Sequence, residues 1–285
     1  MTKNIKLVEC PRDAIQGFPR PITTEQKVHY FNQLLKVGFD TLDFGSFVSP
    51  KAIPQMADTA DVLAQIEWRD SPTKLLAIIA NLRGAQEACL QEGVRYLGYP
   101  FSVSETFQLR NTHKSIAESM DLVKEMQALC EKSNKELVVY LSMGFGNPYG
   151  DAWSEQIVGE WAEKMVKNGI RILSLADTVG TADDETIARL FSWLIPAFPD
   201  VEFGAHFHTH PTESKRKIQI AYDNGCRRFD SAMNGIGGCP FAKDELVGNI
   251  ATETVVAFCG EKEIALGFNS DAFLTASRTA QILFQ

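Results

Sequence analysis

Short runs of β-branched and aromatic residues recur along the chain at residues 5–10, 41–47, 75–80, 96–101, 137–143, 172–176, 201–208 and 228–233. Between them apolar positions return every three or four residues, the helical period, as in 24–37, 116–133, 153–168 and 183–197. Thr23 or Thr24 before an acidic first turn, and Ser154-Glu155, read as helix starts. Gly38, Gly93, Gly169 and Gly225 fall where a helix should stop and the next strand begin. Strands that alternate with helices pair in parallel, and eight such units predict an α/β fold of the (β/α)8 TIM-barrel type. A doubly wound open sheet would bring a glycine-rich phosphate turn after the first strand. Pro11-Arg12-Asp13-Ala14-Ile15-Gln16 stands there instead. No Pro/Gly/Ser linker divides the chain, so one domain over 1–285 is expected, with 260–285 as a C-terminal helical extension.

Polar residues gather where the predicted strands end. Asp13 follows the first, Asp43 and Ser46 lie in the second, Ser142 closes the fifth, and Asp177 follows the sixth. His206 and His208 close the seventh; two residues apart on an extended segment, their imidazoles point to the same side and can reach one ion. Barrel active sites lie at the C-terminal ends of the strands, and chance would scatter such residues over both ends. The glycine loop Gly235-Ile236-Gly237-Gly238-Cys239-Pro240 carries one thiol, and Gly248-Asn249 follows it. Histidines, a carboxylate and an amide oxygen suit a divalent metal with mixed N/O ligation. A thiol on such a loop suits proton transfer.

Composition narrows the partners. The chain has 285 residues, 45% of them hydrophobic, with a net charge of −8. That balance argues against a nucleic-acid surface, which needs clustered Lys and Arg, but leaves room for an anionic small molecule. Six cysteines with no C-x-x-C spacing read as reduced thiols rather than a disulfide framework. Met1-Thr2-Lys3-Asn4 leads straight into a strand and no apolar run reaches a membrane span, so a cytoplasmic protein without a leader is expected.

These residues resemble the 3-hydroxy-3-methylglutaryl-CoA lyase family of divalent-metal barrel lyases over about residues 8–253. The most diagnostic segment is Ser46-Phe47-Val48-Ser49-Pro50-Lys51-Ala52-Ile53-Pro54-Gln55-Met56, which the related condensing enzymes lack. Pro11-Arg12-Asp13, Ser174-Leu175-Ala176-Asp177-Thr178-Val179-Gly180, the H-x-H and the Gly-x-Gly-Gly-Cys-Pro loop support it. The resemblance implies cleavage of a 3-hydroxy-3-methyl acyl-CoA to acetyl-CoA and acetoacetate with Mg2+ or Mn2+. It implies Asp13, His206, His208 and Asn249 as metal ligands, and Arg12 as the cation facing the enolate. Asp13, Cys239 and His206 would move protons, and Gln16, Asp43, Ser46 and Asp177 would border the substrate. A homodimer is left open, as are a related aldolase and a Claisen-type synthase on the same frame.

The chain departs from the family pattern in five places. Asp43 stands for Glu, and Ala14-Ile15 for Gly-Leu after a segment one residue shorter. Thr209-His210 follows the H-x-H where Asp is usual, and Gly146-Asn147-Pro148 replaces Gly-Cys-Pro. The segment holding Lys243-Asp244-Glu245 is longer and charged.

Overall fold

A computed structural model describes residues 4–238 and 247–285. The eight predicted strands form as β1 (Lys6–Glu9), β2 (Thr41–Ser46), β3 (Lys74–Ile78), β4 (Val94–Ser102), β5 (Glu136–Ser142), β6 (Ile172–Asp177), β7 (Glu202–Thr209) and β8 (Arg228–Ser231). Each pairs in parallel with its sequence neighbours. The β1–β8 pairing completes the ring, giving a closed (β/α)8 barrel.

The intervening helices are α1 (Pro11–Gln16), α2 (Thr24–Val37), α3 (Thr59–Gln65), α4 (Leu82–Cys89), α5 (Glu105–Thr112), α6 (Ile116–Lys132), α7 (Glu155–Lys167), α8 (Asp184–Ala197) and α9 (Pro211–Asp223). After β8 come the short β9 (Gly248–Asn249), α10 (Thr252–Glu261) and α11 (Ser270–Leu283). The capping chemistry read from the sequence operates. Thr23 and Gln26 form a reciprocal capping box on α2, and Gly38 ends that helix at φ 83°. Gly169 and Gly225 also adopt positive φ. Gly93 does not; it is small because the Trp68 ring lies 2.8 Å from where a Cβ would sit.

Two apolar regions hold the fold. Inside the barrel Leu76, Ile78, Tyr96, Val138, Tyr140 and Ile172 pack together. Outside it, a larger core joins the outward strand faces to the helices. The C-terminal α11 lies along α2, tied by the Asn269 N–H to the Val37 carbonyl at 2.9 Å and by Phe284 edge-on to Tyr30.

One buried carboxyl links strand, turn and helix. Glu9 accepts the Met233 N–H at 2.9 Å and meets the Thr252 hydroxyl at 2.5 Å, which contacts Ser231 at 2.9 Å. Burial outweighs these bonds and raises Glu9 to about 8. A carboxyl raised on folding stabilises fully below its unfolded pKa and loses that contribution as pH climbs through the folded value. Stability is therefore expected to fall between about pH 4.5 and 8, by an amount on the order of a few kcal/mol. Urea unfolding at pH 5 and pH 8 checks this. Glu9→Gln, which keeps the shape and cannot ionise, should flatten the dependence; an unchanged slope would remove Glu9 as its source.

Candidate active site

The strand ends deliver a compact polar cluster. On β7 the pleat sends His206 and His208 to one side, and their Nε2 atoms lie 3.2 Å apart. The His206 Nδ1 faces Asp230 Oδ2 at 3.1 Å and the His208 Nδ1 faces the Thr178 carbonyl at 3.0 Å. Both acceptors favour the tautomer with the proton on Nδ1, so two Nε2 lone pairs converge on one point. Such an approach is repulsive unless a proton or a cation lies between them. Asp13, in α1 directly after β1, puts Oδ2 3.9 Å from His208 Nε2. Ligand atoms of Asp13, His206 and His208 all lie within 4.8 Å of one another, a donor set that fits a divalent cation.

The charges around the cluster are ordered. Burial opposes the Asp13 carboxylate, but Arg12 and then the two histidines outweigh it and hold its pKa well below the usual carboxylate range. Burial, then the neighbouring His206, lowers His208 to about 4. His206 is moved the other way: burial pulls it down, and the Asp230 hydrogen bond and charge more than restore it.

Arg12 is held rather than free. Its Nη2 donates to Asp43 Oδ2 at 2.5 Å and its Nε donates to both Asp43 oxygens at 3.0 and 3.2 Å. Nη1 donates to Asp13 Oδ1 at 3.0 Å and Gln16 Oε1 at 3.1 Å. Burial raises Asp43 to about 6 against the pull of the guanidinium. The shorter acid of strand two thus serves as the anchor of Arg12.

Asn249 reaches the cluster through β9, which pairs antiparallel with β7 and sets Asn249 opposite His208. Its Nδ2 donates to Asp13 Oδ2 at 2.7 Å and to the Ile236 carbonyl at 3.0 Å. Service as an oxygen ligand therefore requires the amide to turn over, exchanging Oδ1 and Nδ2. Gly237 makes the close approach possible. At φ 98° it sits where a Cβ would lie 2.7 Å from Asn249 Nδ2 and 2.9 Å from the Ala14 Cα.

A cavity of about 430 Å3 opens over the cluster. Arg12, Asp13, Gln16, Ser142, Thr178, His206 and His208 form its polar wall. Val48, Ile53, Ile78, Pro100 and Phe107 form the apolar one, with Asn111 and Thr112 at α5. The Ser46–Met56 segment reaches this wall through Val48, Ala52 and Ile53, and the Gln55 amide ties the segment to the Phe18 and Arg20 carbonyls.

Three of the residues expected to border the substrate do not line the cavity. Asp43 is buried under Arg12. Ser46 turns its hydroxyl to the Val48 N–H at 3.2 Å. Asp177 accepts from the Thr181 and Ala182 N–H groups and from Lys217 Nζ, which fixes the loop that carries Thr178. Gln16 does line the cavity. Cys239 lies outside the described residues.

Two further departures from the family pattern have local explanations, while Lys243-Asp244-Glu245 lies outside the described residues. Exposed His210 caps α9, its side chain accepting from Thr212 N. Asn147 folds its own loop by accepting from the Tyr149 and Asp151 N–H groups, and Asp151 ties that loop to Ser104 and Thr106. Asp230 was not legible as functional. It follows Arg228 by two on β8, and only the β7–β8 register, His206 opposite Asp230, reveals its role. Asp230→Asn, which replaces the acceptor with a possible donor to Nδ1, is expected to weaken divalent-metal binding 10–100-fold. Calorimetric titration with Mn2+ checks this, and an unchanged affinity would show that Asp230 does not orient the ring.

A closed parallel barrel with a His, His, Asp cluster at its C-terminal mouth defines a class of barrel enzymes with room for one cation. Comparison with known proteins narrows that class. Residues 4–279 match the HMGL-like family, and the chain belongs to it. The hydroxymethylglutaryl-CoA lyase of Bacillus subtilis is 33% identical, covering 94% of this chain and 89% of its own length. A Pseudomonas aeruginosa protein named 3-hydroxy-3-isohexenylglutaryl-CoA/hydroxy-methylglutaryl-CoA lyase is also 33% identical, over 98% and 92%. The HMG-CoA lyase of Acinetobacter baumannii, solved with coenzyme A and 3-methylmalate, superposes with a TM-score of 0.91 at 32% identity, covering 99% of this chain and 92% of that one. The protein is therefore an enzyme of the lyase family. Among the described residues no helix is long and apolar enough to cross a membrane.

Proposed function

We propose that this lyase cleaves 3-hydroxy-3-methylglutaryl-CoA, or a close analogue, to acetyl-CoA and acetoacetate with the help of Mg2+ or Mn2+. The observation that supports this reading most is the pair of converging Nε2 atoms beside Asp13 on the wall of the cavity. Asp13, His206 and His208 would hold the ion, joined by Asn249 once its amide turns over. When bound, the ion would polarise the substrate hydroxyl and lower its pKa.

The protein's own groups account for the remaining chemistry. Asp13, kept ionised by Arg12, would take the hydroxyl proton as the carbon–carbon bond breaks. Arg12 lines the cavity with its nitrogens held by Asp43, Asp13 and Gln16, so negative charge growing on the thioester oxygen would meet a guanidinium already fixed in place. Cys239 or His206 would protonate the acetyl-CoA enolate; the family resemblance favours Cys239. The segment 239–246 departs from Gly238 and returns at Val247, and these two residues lie together: a Cβ on Gly238 would sit 2.8 Å from the Val247 carbonyl oxygen. Val48, Ile53 and Phe107 shield the reacting end from water. We take residues 1–285 as one catalytic domain that works in the cytoplasm.

The test is direct. Purified protein with 3-hydroxy-3-methylglutaryl-CoA and Mg2+ should release acetoacetate and acetyl-CoA in equal amounts, and chelator should stop it. Release with full activity in chelator would remove the metal from the proposal. Metal-dependent cleavage of a free hydroxy acid, with none of the thioester, would favour the aldolase reading.

A further inference from the structure

We propose that Cys10, His206 and Asp230 form a second metal site, one for a thiophilic dication such as Zn2+, whose occupation excludes the ion held by Asp13, His206 and His208. The three residues come from adjacent staves of the barrel. β8 pairs with β7 so that Asp230 stands opposite His206, and with β1 so that the Cys10 N–H reaches the Ser231 carbonyl at 2.8 Å. One ligand atom from each of the three lies within 4.8 Å of the other two. The His206 Nδ1, turned to Asp230 Oδ2 at 3.1 Å, serves this group. Its Nε2, turned to His208 at 3.2 Å, serves the other, so the two sites use opposite sides of one ring.

Two features go beyond packing. Holding His206 needs only Oδ2 of Asp230; its Oδ1 is buried and has no hydrogen-bond partner among the described residues. A buried oxygen in that position has lone pairs to give. Cys10 is buried and free, and its thiol makes a long 3.8 Å contact with the Val8 carbonyl. Sulfur, nitrogen and carboxylate oxygen together suit Zn2+, whereas Mg2+ and Mn2+ prefer sites without thiolate. Burial, then the Asp230, Asp43 and Asp13 carboxylates, raise the Cys10 thiol against the pull of Arg12. The same negative charge favours a dication, which displaces the thiol proton as it binds.

The shared ring makes the two sites exclusive. An ion on Nδ1 moves the imidazole proton to Nε2, where it forms an N–H···N bond to His208 Nε2 across the same 3.2 Å. His206 then has no lone pair for the ion at the mouth, and His208 spends its own on the hydrogen bond. The balance is simple: the dication enters, the thiol proton leaves to water, and the imidazole keeps one proton. The exclusion rests on the proposed role of His206 as a ligand of the catalytic ion; the thiophilic site itself does not.

Co2+ stands in for Zn2+ as the probe, because a cobalt–thiolate bond gives a charge-transfer band in the near ultraviolet. The full chain, kept reduced without added thiols, is titrated with Co2+. The wild type and Cys239→Ser should both show the band and Cys10→Ser should not, with circular dichroism confirming that each is folded. No band in the wild type, a band retained in Cys10→Ser, or one lost in Cys239→Ser would overturn the site. Excess Mn2+, which claims His206 without taking the thiolate, should bleach the band. A band that persists while electron paramagnetic resonance shows Mn2+ bound would overturn the exclusion. If the wild type binds no Mn2+, the catalytic-ion reading fails and the exclusion with it, while the band still decides the thiophilic site.

Discussion

Arg12→Met is expected to lower turnover roughly 100-fold or more while Mn2+ still binds. A single preorganised donor facing developing negative charge contributes about 3–4 kcal/mol to the barrier in comparable sites. Arg12 sits on the cavity wall beside Asp13 yet is no part of the cation cluster. Its removal also leaves Asp43 buried without its guanidinium, a change that typically destabilises by about 3–5 kcal/mol unless the carboxyl protonates. The double variant Arg12→Met, Asp43→Asn separates the two effects. It should recover most of the lost stability and none of the lost turnover, read by thermal unfolding and steady-state kinetics. Recovery of turnover along with stability would reduce Arg12 to a structural residue.

Cys239→Ser is expected to slow turnover by about 10²-fold or more, with fold and metal affinity near those of the parent protein. A hydroxyl matches the thiol in size but has a far higher pKa, so it is a poor partner in proton transfer. Alkylation should inactivate through this residue, and bound substrate should protect it. The pH dependence of kcat decides the matter: full activity with an unchanged profile would make the loop a lid only.

Much of the architecture could be read from periodicity. All eight strands were legible as apolar runs because a barrel strand is buried on both faces, and the helices because their caps and stripes are local. The H-x-H was legible for the same reason: the pleat has a fixed period. What stayed hidden depends on parity or register. Asp177 follows Ala176, which lines the cavity, so the pleat turns Asp177 outward to Lys217. Asp43 points inward, but its partner lies 31 residues away in sequence and is found only when the β1–β2 pairing is known. Asp230 and the Thr178 carbonyl orient the histidines from two other strand ends, contacts that no single segment encodes.

Asp13, His206 and His208 are expected to hold one divalent ion. Titration with Mn2+, followed by the loss of its free electron paramagnetic resonance signal, measures this without substrate. One ion per chain is predicted, with binding weakened at least 100-fold in His208→Ala and in Asp13→Ala while circular dichroism stays unchanged. Equal Mn2+ binding by the wild type and both variants would contradict the account.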